Sequence, residues 1–114
     1  MKRRDTGILG KKLAKDFLKK RCYHIMENNY RCPEGGIDIV AKHKDYLVFI
    51  EVRTKKSWEF GNHEESITPT KQEKLRATAS YYYQTHNDLP SLYQIDALMI
   101  ELDQQGKVLR IGFI

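Results

Sequence analysis

Asp38, Glu51 and Arg53 are the residues of this chain whose types and spacing can do chemistry. They lie in one stretch, residues 34–53, where Gly36-Ile37-Asp38-Ile39-Val40 is followed by Val48-Phe49-Ile50-Glu51-Val52-Arg53. Two carboxylates brought together among apolar neighbours repel each other and resist desolvation, so they require a cation or a strong set of donors. A hard divalent ion meets that need. Mg²⁺, or Mn²⁺ in its place, retains several waters and accepts one or two carboxylates plus substrate phosphate. Held so, it activates a water and offsets the charge of a pentavalent phosphate. Arg53 can grip a phosphate oxygen, but with a pKa above about 12 it is a poor proton acceptor.

A β-hairpin has to bring these groups together. Ile37, Ile39 and Ala41 alternate with Gly36, Asp38 and Val40, and Tyr46, Val48, Ile50 and Val52 alternate with Leu47, Phe49, Glu51 and Arg53, so both runs read as strands. A four-residue turn at 42–45 sets Ala41 against Tyr46, Asp38 against Phe49 and Gly36 against Glu51. Asp38, Phe49, Glu51 and Arg53 then share a face, with Asp38 and Glu51 diagonal to each other about 7–8 Å apart. A slip of one residue separates them. Spacing alone leaves a second reading open, in which both acids form ordinary ion pairs with Arg53 and Lys55 on a solvated sheet face.

The motifs Gly-Ile-Asp-Ile-Val at 36–40, Val-Phe-Ile-Glu-Val-Arg-Thr-Lys at 48–55, Phe60-Gly61, Ile67-Thr-Pro-Thr-Lys-Gln72 and Leu75 resemble the YraN family of bacterial proteins, from about Gly7 to the end. That family has a restriction-endonuclease-like fold and is similar to archaeal Holliday-junction resolvases. The resemblance implies that Asp38 and Glu51 are metal ligands and that Arg53 stands where many related nucleases carry a catalytic lysine. It also implies DNA as partner, branched or flap structures as substrates, and a homodimer by analogy with the resolvases. Two departures bear on the metal: Gly36 and Lys11 stand where the family usually has glutamates. Their absence lowers the charge available to hold Mg²⁺. Glu34 can substitute if Gly35-Gly36 forms a bulge.

The chain of 114 residues fits a single domain with one modest core. No apolar run approaches the ~18 residues of a membrane span, and the basic amino terminus lacks the apolar segment of a signal peptide, which predicts a cytoplasmic protein. Cys22 and Cys32 match no usual zinc spacing and read as reduced structural cysteines.

The net charge is +5, and residues 1–21 alone carry nine lysines and arginines against two aspartates, a local excess of +7. Such a stripe attracts a nucleic-acid backbone through counterion release, although a lysine-rich face can also serve solubility alone. Leu9, Leu13, Ala14, Phe17 and Leu18 recur at helical spacing and predict a helix over 9–20, with Lys11, Lys12 and Lys15 as phosphate contacts.

Residues 21–31 read as a strand bent at Asn28-Asn29, and residues 32–36 as a turn. Residues 54–67 read as a loop, from which Lys55 contacts phosphate while Trp58 or Phe60 stacks on a base or caps the core. Thr68-Pro69 predicts the start of a helix reaching about residue 84, with Thr70 and Glu73 as a second capping box and Leu75, Ala79 and Tyr82 as its buried stripe. Lys71 and Gln72 at its start are the expected contacts to substrate backbone or attacking water, since a cationic helix N-terminus calls for an anion. Residues 92–102 and 107–113 read as closing strands, with Asp96 inside the first expected in a buried structural hydrogen-bonding role ahead of a metal role.

These readings give one α/β domain over residues 1–114, a mixed five-stranded sheet with flanking helices, restriction-endonuclease-like. The function expected is Mg²⁺- or Mn²⁺-dependent hydrolysis of DNA. The rival is a nucleic-acid-binding module that has lost catalysis through Gly36 and Lys11, and a third reading is an interaction protein whose basic helix binds an acidic partner.

Overall fold

The computed structural model describes residues 3–56 and 67–114. Helix α1 (Arg3–Lys20) leads into strands β1 (His24–Cys32), β2 (Gly35–His43) and β3 (Tyr46–Lys56), followed by helix α2 (Pro69–Thr85) and strands β4 (Leu92–Leu102) and β5 (Val108–Phe113). The strands form one sheet in the order β1-β2-β3-β4-β5. The β3–β4 pair is parallel and the others antiparallel, giving the mixed α/β sheet expected. A parallel pair needs a crossover, and the segment containing α2 provides it.

Strand β3 runs through the middle and is covered on both faces, which is why Leu47-Val48-Phe49-Ile50 is a continuous apolar run, fully buried. Val48 and Ile50 join Ile39, Ala41, Leu98 and Ile100 under Ala14 and Leu18 of α1. Leu47 and Phe49 join Ile37 and Val40 under Leu75, Ala79 and Tyr82 of α2. The two helices therefore lie on opposite faces of the sheet.

Helix α1 begins at Arg3, six residues before the stretch predicted from apolar spacing. Its first turns carry few core residues for a periodicity to reveal, although Asp5 there complements the helix dipole. Gly10 lets the helix pack closely on β3, since a Cβ at that position would overlap Thr54 Oγ1. Helix α2 starts as expected: Thr68 is the N-cap, its Oγ1 accepting from the Lys71 N–H at 3.2 Å, with Pro69 in the first turn. Thr70 lies inside the helix, so the second capping box does not form.

Three expectations for the strands need correction. β1 carries a bulge between Ile25 and Glu27, and it pairs on through Asn28 and Tyr30 although Asn29 between them adopts a positive φ of 52°. β3 extends to Lys56, so Lys55 is a strand residue rather than a loop residue. The turn of the central hairpin contains two residues, Lys44 and Asp45, instead of four, and His43 pairs with Tyr46. Lys44 reaches the necessary φ of 55° without being glycine or asparagine, so no local signal announced it. Trp58, Phe60, Gly61 and His63 lie outside the described residues.

Candidate active site

The shorter turn shifts the β2–β3 register by two residues, and the pairing ends at Ile39–Ile50. One step further along, Asp38 comes level with Glu51 instead of lying diagonal to it. The strands separate here. Ile37 packs with Val40 on the α2 side while Ile39 and Ala41 pack on the α1 side, so the alternation of β2 breaks at Asp38. The expected shared face for Asp38 and Phe49 is thus replaced by a different arrangement. Asp38 Oδ2 accepts the backbone N–H of Val52 at 2.7 Å, a charge-assisted bond that occupies the gap where the ladder would have continued.

Each carboxylate meets one lysine, and the two lysines come from the two helices. Lys11 Nζ of α1 lies 3.5 Å from Asp38 Oδ1, and Lys71 Nζ of α2 lies 3.3 Å from Glu51 Oε2. Lys11 also donates to Asn29 Oδ1 at 2.8 Å. Asn29 falls between the pairs Asn28–Ile39 and Tyr30–Ile37, level with Asp38 across the β1–β2 ladder. The close approach at Gly10 is what sets Lys11 within reach.

Glu51 is the strained member of the pair. Its side chain is 15% exposed, and Oε2 is buried with no aligned hydrogen-bond donor among the described residues, the ammonium of Lys71 making an ion pair without that alignment. Burial holds its pKa above the usual carboxylate range; the positive charge of Lys71 opposes the shift and the negative charge of Asp38 adds to it. The two carboxylates are therefore electrostatic neighbours. Arg53, two residues along the same strand, contributes a smaller positive influence on Glu51.

Of the residues predicted for the site, Asp38, Glu51, Lys11 and Lys71 gather at this split, with Arg53 beside them. Lys15 sits one turn after Lys11 on α1, Lys12 is exposed on the same helix, and Lys55 follows Arg53 along β3. Gln72 directs its amide to the carbonyl of Ile67 at 2.7 Å and lines an open cleft of about 590 Å³ with Arg76, Tyr93 and Asp96. Asp96 there accepts a 2.7 Å hydrogen bond from Gln94, but it is half-buried at the cleft rather than enclosed in the core as expected.

Two predictions fare differently. Glu34 stands exposed in the β1–β2 turn, and Cys32–Gly35 and Arg31–Gly36 pair without a bulge, so Glu34 does not substitute for a carboxylate at 36. The anion called for by the cationic start of α2 exists within the chain, as Glu51 facing Lys71. Sequence reasoning missed Asn29, the Val52 N–H and Arg31. The Arg31 guanidinium lies over Gly36, where a Cβ would run into it. Among the described residues no group of three or more His, Cys, Asp or Glu side chains gathers in a metal-binding arrangement.

Residues 10–100 match the family described as "Uncharacterised protein family UPF0102". The chain belongs to this family. A UPF0102 protein of Caldicellulosiruptor saccharolyticus is 38% identical over the whole chain and 97% of the relative. One from Dehalococcoides mccartyi is 45% identical over 90% of the chain and 84% of the relative, and one from Moorella thermoacetica is 40% identical over the whole chain and 95% of the relative. The UPF0102 match spans all five site residues, Lys11, Asp38, Glu51, Arg53 and Lys71. No helix among the described residues is long and apolar enough to cross a membrane.

Proposed function

We propose that the chain is a divalent-metal-dependent endonuclease acting on DNA, with branched structures as the substrates to test first. The observation that carries this reading is the buried Oε2 of Glu51, without an aligned hydrogen-bond donor and beside a second carboxylate. Such an arrangement costs stability in the ionised state, and perturbed carboxylates held this way cluster at functional sites. The donor set suits Mg²⁺ or Mn²⁺: two carboxylates, with phosphate and water completing the shell. Asp38 and Glu51 are the residues that hold the ion. When bound, it polarises the phosphodiester and makes a water acidic enough to attack.

The chain's own residues do the remainder. Val52 N–H fixes the Asp38 carboxylate through Oδ2 and leaves Oδ1 directed at Lys11. Arg53 stabilises the charge that develops on phosphorus, as a guanidinium does for phosphate oxygens. Lys55 and Lys71 grip neighbouring phosphates, Gln72 orients substrate backbone or water, and Lys12 and Lys15 extend the contact along α1. The test is cleavage of linear, flap and four-way DNA with Mg²⁺ or Mn²⁺. Cleavage that disappears in both Asp38→Asn and Glu51→Gln is the expected result; cleavage that persists in either removes the carboxylate pair from the reaction.

A second reading, binding without cleavage, is favoured by one observation of its own: Lys11 already neutralises Asp38, and Arg31 already fills the space over Gly36. Salt-sensitive DNA binding with no cleavage under any divalent ion supports it. In that event Gly36→Glu restores the missing acid, and activity appearing in the variant identifies that position as the decisive loss.

A further inference from the structure

Lys11 beside Asp38 and Lys71 beside Glu51 supply the positive charge that a divalent ion on the two carboxylates would otherwise supply. Each ammonium lies within 3.5 Å of the carboxylate oxygen left over after other bonds are counted: Asp38 Oδ1, because Oδ2 takes the Val52 N–H, and Glu51 Oε2, which has no aligned donor. An ion entering between those oxygens meets two like charges at close range. The lysines do not share the burial of the acids. Asp38 and Glu51 side chains are 12% and 15% exposed, whereas Lys11 and Lys71 are 34% and 42% exposed, so the acids are enclosed while the ammonium groups border solvent, Lys11 with Asn29 Oδ1 as a further partner. They approach from helices on opposite sides of the sheet, one to each acid.

Resting on the endonuclease reading, we propose that Lys11 and Lys71 are resident counter-cations that keep the metal out until nucleic-acid phosphates draw their ammonium groups away. Phosphate competes well for them because it is a stronger polyanionic partner than a single carboxylate, and it lies on the solvent side toward which both side chains can turn. The metal then binds vacated carboxylates. By linkage the coupling is reciprocal: nucleic acid raises metal affinity and metal raises nucleic-acid affinity by the same factor. Lys11 therefore does more than dilute the negative charge of the site; it makes metal occupancy conditional on substrate.

Mn²⁺ titration by calorimetry into the full chain, alone and with a saturating mixed-sequence phosphorothioate duplex, tests this. Ion taken up by the same duplex with Asp38→Asn serves as background. The duplex is expected to tighten Mn²⁺ binding by about 10-fold, within the usual 5–150-fold range of such couplings. Without duplex, Lys11→Met and Lys71→Met are each expected to bind Mn²⁺ tighter than wild type, while Lys107→Met, which removes one charge from the β4–β5 turn, changes the affinity less than about 2-fold. Lys11→Gln and Lys71→Gln repeat the comparison should a methionine variant fold poorly.

Equal Mn²⁺ affinity with and without duplex, or no gain in the lysine variants, overturns the proposal. If Asp38- and Glu51-dependent cleavage nonetheless holds, the endonuclease reading stands and only the counter-cation role falls. No Mn²⁺ bound under either condition overturns both.

Discussion

Val52 donates its backbone N–H to Asp38 Oδ2 at 2.7 Å, a bond that closes the gap between β2 and β3 just where their ladder stops. A side chain thus does the work of a backbone carbonyl, and strand separation is compatible with a buried, satisfied N–H. Asp38→Asn keeps an oxygen acceptor and should change stability by less than about 1 kcal/mol, whereas Asp38→Ala strands the Val52 N–H and should cost about 1–3 kcal/mol. Urea denaturation of the two variants checks this; an alanine variant as stable as wild type would show that the bond is dispensable.

Glu51 should cost stability at neutral pH. Its folded pKa is raised above the ordinary 4.5, so the stability linked to its proton is present below that value and lost as pH rises through the higher folded value. Glu51→Gln, neutral throughout, is expected to exceed wild type in stability at pH 7, with the difference closing below pH 4.5. Lys71, exposed enough to turn to solvent, limits the penalty for removing its partner. Thermal melts of both proteins from about pH 3.5 to 8 provide the comparison, and a glutamine variant less stable than wild type at pH 7 contradicts the sign.

Gly10 and Thr54 set the distance between α1 and β3. Alanine in a helix interior gains up to about 1 kcal/mol over glycine, but here its Cβ enters the space of Thr54 Oγ1. Threonine is stiff at χ1 and cannot simply retreat. Gly10→Ala alone should therefore destabilise by about 1–2 kcal/mol, and the same change in a Thr54→Ala background should be neutral or stabilising. A double-mutant cycle measures the coupling; additive effects would mean that this close approach does not govern helix placement.

Sequence patterns with local causes reported the fold well. The stripe Leu75, Ala79 and Tyr82 and the Thr68-Pro69 start are each set by near neighbours in the chain, and each is found as expected. What the sequence concealed depends on distant partners. The positive φ of Lys44 sets the hairpin register without a glycine or asparagine to signal it, and the break of alternation at Asp38 follows from core packing on both faces. Asp38 and Glu51 were legible as a pair because a two-residue register error still leaves them neighbours across the hairpin, level rather than diagonal. Lys11 on Asp38 was not, since it joins a helix to a strand 27 positions away.

Lysines along α1 should govern nucleic-acid affinity through salt. Lys12 and Lys15 lie on the helix that carries the local excess of positive charge. Replacing both with glutamine should weaken duplex binding without sequence preference and reduce the slope of log affinity against log salt by about 0.9 for each phosphate that is no longer neutralised. Fluorescence anisotropy over a series of salt concentrations measures that slope, and an unchanged slope would assign these lysines to solubility.

The carboxylate pair itself is tested most directly by calorimetric titration of Mn²⁺ in the presence of duplex DNA, comparing wild type with Asp38→Asn and Glu51→Gln. Wild type should bind an ion that neither variant holds beyond the background of the DNA alone. Equal binding by all three proteins, or none by wild type, would contradict a metal site built from Asp38 and Glu51.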